Sequence, residues 1–201
     1  MRSLAFVPAA LALALPAQAL MAQAGDPARA TVQNLCDGLI ATMKAGKRAG
    51  ARGRAAVIGP VVDRSFDLPL MARLSVGPSW TGLAPADQQA VTTAFRRMTI
   101  AQYAKNFDEF SGQSFTIAPQ VEARGTDRLV RTTLVSKSEA PVAIAYRLRQ
   151  SGGNWRIVDV FYKNAVSQIA TRRSDFAHTL QTGGAKALVA RLNQLAAEAG
   201  G

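Results

Sequence analysis

Apolar residues recur at helical spacing through the first half of this chain and alternate through much of the second. In residues 28–46, Val32, Leu35, Leu39 and Met43 share one stripe, because side chains three and four apart stack on the same side of a helix; Gly46 marks the stop. Residues 57–63 predict a short helix or the remnant of one. Residues 66–74 predict another, with Phe66, Leu70, Met71 and Leu74 on one face. Gly77 and Pro78 end it, since glycine tolerates a left-handed cap and proline cannot continue a helix. Trp80 follows in a short connection. A longer helix is expected from Pro85, whose fixed φ suits a first helical position, with Asp87 favourably placed in the first turn. Its apolar face runs through Val91, Phe95, Met98, Tyr103 and Phe107, and Phe110 lies just beyond.

After Phe110 the period falls to two. Residues 113–122 put Phe115, Ile117 and Val121 on one face, and a second strand is expected at 127–136. In residues 141–150, Val142, Ile144, Tyr146 and Leu148 alternate with Ala143, Ala145, Arg147 and Arg149. A turn at Ser151-Gly152-Gly153 leads to a fourth strand at 154–163. Short turns between strands imply an antiparallel meander. The helical period returns at 165–181, stops at Gly183-Gly184 and resumes at 185–198 with Leu188, Leu192 and Leu195 on one side. The expectation is an α+β fold: a four-stranded antiparallel sheet with helices gathered largely on one face. No repeat, linker or second domain breaks the pattern.

Composition refines this picture. A chain of 201 residues with 48% hydrophobic content is long enough to bury a real core as one domain. A net charge of +11 is the more specific property, since such a surface attracts nucleic acid, anionic lipid headgroups or acidic proteins. Lys44, Lys47, Arg48, Arg52 and Arg54 form a run of cations without an intervening acid, which reads most simply as a solvated face. The N-terminus narrows the choice of partner. Arg2, an apolar run from Leu4 to Leu15 and the small-x-small sites Ala17-Gln18-Ala19 and Ala22-Gln23-Ala24 are laid out as a secretory signal peptide over 1–24, leaving a single domain at 25–201. Its removal takes away Arg2 and leaves 23 basic against 13 acidic residues, a net charge of +10. Export argues against intracellular nucleic acid as a partner, and the strands lack the aromatic and basic interleaving of a base-stacking platform. Cys36 is the lone cysteine, so no intramolecular disulfide can form, and it reads as a small buried hydrophobe.

Catalytic chemistry is hard to assemble. His178 is the one histidine, on an expected helix, and neither a nucleophile elbow, a phosphate-binding loop, a dinucleotide fingerprint nor a zinc-ligand set occurs. A secreted α+β enzyme would have to use His178 beside an acid and a hydroxyl. No metal or cofactor is expected. One polar group stands out: Asp159 lies inside the apolar strand WRIVDVFY, where an unpaired carboxylate is costly, so it is expected to pair with Arg172 or Arg173 where sheet meets helix.

Several segments together resemble the MlaC or toluene-tolerance family of periplasmic lipid carriers. They are FDLPLMAR, VGPSW, LAPADQQ leading into FRRMTIAQYAKNF, and NWRIVDVFYKNAVSQIATRRSDF. FDLP, VGPSW and TGGAKALVARL look most like its hopanoid-associated branch, HpnM. By that match Trp155, Asp159, Val160, Ser167, Arg173 and Phe176 occupy family positions, while Asn164-Ala165-Val166 departs from a usual glycine. The resemblance implies an MlaC-like, NTF2-like architecture whose helices part from the sheet to enclose an apolar cavity. It also implies a soluble shuttle for a phospholipid or hopanoid. Its partners would be an inner-membrane ABC transporter with a lipid-binding ring subunit and an outer-membrane lipoprotein complex, with transient contact at the membrane surface and no need for more than a monomer.

A lipid carrier needs a long apolar wall with flexible and aromatic side chains. The candidates on the helices at 66–74 and from Pro85, and in the connection between them, are Phe66, Leu70, Met71, Leu74, Trp80, Phe95, Met98, Tyr103 and Phe107. The strands offer Phe115, Ile144, Tyr146, Ile157 and Phe161, and the following helix offers Ile169 and Phe176.

Overall fold

The structure, a computed structural model, describes residues 25–200; the expected leader at 1–24 lies outside the described residues. Helix α1 (Pro27–Ala45) starts where Asp26 accepts a 2.8 Å hydrogen bond from the Ala28 amide and Pro27 takes the first turn. The stripe seen in the sequence is buried as a unit, with Val32, Leu35 and Leu39 fully enclosed and Cys36 beside them.

Helix α2 (Gly50–Ser65) is longer than the segment expected at 57–63. Arginine and alanine are strong helix formers and carry it back through the basic run, while exposed Pro60 is accommodated inside it. The run is therefore not a uniformly solvated face. Arg54 is buried, and its guanidinium donates to the carbonyls of Gly46 at 3.0 Å and Ala104 at 2.7 Å. Those oxygens belong to helix ends, where no intrahelical donor remains for them. Helix α3 (Leu68–Val76) begins later than the apolar pattern suggests. Phe66 stays extended in an isolated bridge to Ile157, and Asp67 caps the helix by accepting from the Leu70 amide at 3.1 Å. Helix α4 (Pro85–Asn106) starts at Pro85 as its sequence predicts.

The sheet contains β1 (Ser114–Arg124), β2 (Asp127–Val135), β3 (Val142–Ser151), β4 (Asn154–Tyr162) and β5 (Val166–Ser167), antiparallel throughout and ordered as in the chain. Five strands replace the four expected. The fifth is two residues long, too short to show alternation, and it folds back on β4 through a turn in which Lys163 and Asn164 hold φ of 51° and 58°. Asparagine tolerates that left-handed region better than most residues, which suits Asn164 to a position where the resemblance pointed to glycine.

The pairing of β3 with β4 contains one irregularity: Arg147 faces Asp159 and Leu148 faces Ile157, so Val158 is an extra residue in β4. Side chains alternate across a strand, so one added residue switches the face of everything beyond it. Trp155 and Ile157 share a face with Leu148 and Tyr146, and after the bulge that face passes to Val160 and Tyr162. Helix α5 (Gln168–Gly200) follows, broken at Gly184, where φ is 63° and ψ −162°, as the Gly183-Gly184 pair predicts. The core lies between layers: Val130, Tyr146, Leu148 and Ile157 of the sheet meet the extended Phe66 and Leu35, Phe95, Met98, Leu188 and Leu192 of the helices.

Candidate functional site

Where α4 and the start of α5 diverge from the sheet, a cavity of about 470 Å³ opens. That lies within the range of roughly 300–1,000 Å³ typical of small-molecule pockets. The sheet supplies its apolar wall through Leu134, Val142, Ile144, Tyr146, Val160 and Tyr162. These are cross-strand neighbours: Leu134 faces Val142, Ile144 faces Tyr162, and Tyr146 faces Val160. Phe66, Met71, Tyr103 and Phe107 close the side opposite the sheet. Their aromatic rings form a row, with centroids 5.6 Å apart from Phe66 to Tyr103 and 5.9 Å from Tyr103 to Phe107. Burial pushes the Tyr103 and Tyr146 phenols upward, so both remain neutral hydroxyls.

The same lining has polar members. Thr99, Gln102 and Asn106 follow one another along α4 at near-helical spacing, and Gln168 and Arg172 come from the first turns of α5. Arg172 donates to Gln102 Oε1 at 2.9 Å and stacks over the Phe95 ring at 5.0 Å. Desolvation lowers its affinity for its proton, opposed by Tyr103 and Asp159, and a guanidinium remains charged regardless.

Of the candidates named from sequence, Phe66, Met71, Tyr103, Phe107, Ile144 and Tyr146 meet at this cavity. Phe95, Met98, Ile157, Ile169 and Phe176 are buried in the packed core instead, and Leu74, Trp80 and Phe115 pack against it. Leu70 is half-buried on α3 away from the lining. Phe161 is turned to the other face by the Val158 bulge, opposite Ala145. Leu134, Val142, Val160, Tyr162 and the polar members were missed. Leu134 and Val142 were within reach of the alternation in β2 and β3; Val160 and Tyr162 were not, because a bulge leaves no mark in a period-two pattern.

Asp159 sits at the junction of sheet and helix, as expected, but its partners differ. Ser167 Oγ donates to Oδ2 at 2.6 Å, the Ile169 amide donates to Oδ1 at 3.2 Å, and Arg147 Nη2 stands 3.6 Å from Oδ2. The carboxylate thus caps the start of α5, and its cation comes from the neighbouring strand. Arg173 instead donates twice to the Leu74 carbonyl, at 3.0 and 2.8 Å, and Arg172 is taken by the cavity. The sequence points to the arginines of the following helix, at the junction of sheet and helix; cross-strand register instead supplies Arg147 from β3. A second acid, Asp127, is 5% exposed and bound in two places by Arg149 at 2.7 and 2.9 Å.

His178 is exposed on α5 and does not border the cavity, so the residue on which an enzymatic reading depended is not at the site. Among the described residues no cluster of three or more histidines, cysteines or acids could hold a metal, and no helix is long and apolar enough to cross a membrane.

Comparison with known proteins places this geometry in context. The family model described as MlaC protein matches residues 33–194. Among solved structures, the chain is similar to a phospholipid-binding protein from Ralstonia solanacearum, determined at 1.53 Å in complex with a phospholipid. The TM-score is 0.75 at 24% identity, over 87% of this chain and 99% of that one. At that identity the likeness speaks for a shared fold, α+β with helices over an antiparallel sheet.

Proposed function

This chain belongs to the MlaC protein family, and from that premise we propose that it is a lipid-binding carrier without catalytic activity, its ligand's acyl chains held between the sheet and helices α4 and α5. The observation that carries the reading is the cavity of about 470 Å³, walled by cross-strand apolar pairs and a row of three aromatic rings. A phospholipid-bound structure of the same fold supports it. The energetics make such a wall necessary. A two-chain lipid has on the order of 30 methylenes at about 0.8 kcal/mol each, so free passage through water faces a barrier of roughly 20 kcal/mol or more. A carrier removes that barrier by offering a comparable apolar environment, which keeps exchange with a membrane near balance.

On this reading residues 1–24 direct export and 25–201 act as one domain in the periplasm. The protein works as a monomer, touching membranes transiently through its basic surface. It moves a phospholipid or a hopanoid between an outer-membrane lipoprotein complex and an inner-membrane ABC transporter with a lipid-binding ring subunit. The motifs FDLP, VGPSW and TGGAKALVARL favour the hopanoid-associated HpnM branch. The test is mass spectrometry of an organic extract of protein purified from its own host. A phospholipid or hopanoid at near-equal molar amount is expected; protein free of any amphiphile would contradict the proposal.

A further inference from the structure

A cavity built only for hydrocarbon would have hydrocarbon on every side, and this one does not. Its sheet wall is apolar apart from the Tyr146 and Tyr162 hydroxyls, whereas Thr99 and Arg172 bring a hydroxyl and a guanidinium to the opposite side. Thr99 is 2% exposed, and its Oγ1 has no hydrogen-bond partner among the described residues. Ser75 Oγ is also unpartnered, but it does not border the cavity. Thr42 and Thr92, also in helices, return their hydroxyls to the carbonyls of Gly38 at 2.7 Å and Gln88 at 2.8 Å. Arg172 carries five N–H donors, and its one hydrogen bond among the described residues goes to a neutral amide oxygen, Gln102 Oε1. No carboxylate among the described residues lies within 4.0 Å of it. Asp159, the acid whose field it feels, is already bound by Ser167, the Ile169 amide and Arg147. The cation is thus held by the Phe95 ring and one amide, with no carboxylate in contact with it.

Lipid tails laid against this seam would strip water from the guanidinium and leave an already dry Thr99 hydroxyl without a partner, a penalty for each. An acceptor oxygen on the ligand removes the penalty and uses the charge. From this we infer that Thr99 and Arg172 form a polar subsite inside the cavity for an anionic oxygen of the bound amphiphile, a carboxylate or a phosphate, so that the ligand is recognised by charge as well as by its chains. This rests on the carrier reading above and specifies the ligand class for the same cavity.

The experiment compares affinities of the delipidated mature protein for matched pairs: oleate against oleyl alcohol, and dioleoylphosphatidylglycerol against dioleoylglycerol, by displacement of a fluorescent fatty acid. The wild type is expected to prefer an anionic member roughly tenfold or more, the scale of a hydrogen bond to a charged group. Preference confined to the first pair identifies a carboxylate, and preference confined to the second a phosphate; either supports the subsite. R172M should abolish the preference, and T99V should reduce it. If R172M does not fold, R172Q provides the same ratio, and the wild-type comparison stands without either. Equal affinities within both pairs for the wild type, or an intact preference in folded R172M, would overturn the inference while leaving the carrier reading in place. Failure of all four probes to bind would instead count against the carrier reading itself.

Discussion

Ser167 donates its hydroxyl to Asp159 across 2.6 Å, and the same oxygen of Ser167 accepts the Ala170 amide at 3.0 Å. One side chain thereby ties the strand β4 to the first turn of α5, the turn that carries Arg172 into the cavity. Asp159 is 3% exposed and accepts on both carboxylate oxygens. D159N exchanges one acceptor for a donor and leaves Arg147 with less charge opposite it, at a cost of about 1–3 kcal/mol. For a domain of this size each kcal/mol lowers Tm by roughly 2–4 °C. S167A should cost less, about 1 kcal/mol, since the Ile169 amide and Arg147 remain. An unchanged Tm in D159N, measured by circular dichroism, would show that the carboxylate does not anchor the helix.

The crossing of α1 over α2 depends on a residue without a side chain. A Cβ at Gly38 would stand 2.7 Å from Val61 Cγ1 and 2.8 Å from its Cγ2. Valine is stiff at χ1 and cannot swing away, so G38A should destabilise by about 1–3 kcal/mol even though alanine is the better helix former by roughly 1 kcal/mol. V61A makes room for the added methyl, so the double variant should be more stable than the sum of the single losses. A double-mutant cycle from urea unfolding checks this; strict additivity would mean the two positions do not meet.

Cys36 gives the protein a chemical and an alkaline signature. Burial first, and the neighbouring Asp37 second, push its thiol up to about 12 from 9.0. The thiolate is the reactive form, so a disulfide reagent at mildly alkaline pH should leave the native protein untouched and modify it promptly in denaturant. The unfolded thiol releases its proton near 9.0 whereas the folded one holds it to about 12, so the unfolded state binds fewer protons across that window and stability falls as pH rises through it. Tyr103 and Tyr146, whose phenols are also raised by burial, act in the same direction. C36A should therefore lose less stability than the wild type above pH 9. Equal alkaline losses in the two proteins would show that the thiol does not contribute.

Much of the architecture was legible because long amphipathic segments carry their own signal. The stripe Val32, Leu35, Leu39 and Met43, the start of α4 at Pro85 and the break at Gly184 all follow from local chemistry and are present. The site was legible only in part, since it depends on register. Phe161 and Val160 are adjacent and both apolar, and nothing local says which faces the cavity; the extra residue Val158 decides it. The helical side divides in the same way. Phe95 and Tyr103 share a stripe on α4, but α5 packs over the first and diverges from the second, so one is core and the other wall. The partner of Asp159 was hidden for a similar reason, because strand pairing brings Arg147 beside it from twelve positions back in the chain. Charge alone was also ambiguous at Arg54, where a member of a basic run is drawn inside by two helix-end carbonyls.

The most direct test of the account is the amount of extractable lipid per mole of protein in the wild type and in V160W, with V160A as control. Val160 is half-buried on the sheet wall of the cavity, facing Tyr146 across the strands, so an indole there occupies the space assigned to acyl chains. The account predicts that wild type and V160A carry near-equal molar lipid, while V160W keeps its Tm within a few degrees, about 1–2 kcal/mol on the scale above, and comes away nearly lipid-free. A folded V160W that retains the wild-type complement of lipid would contradict it.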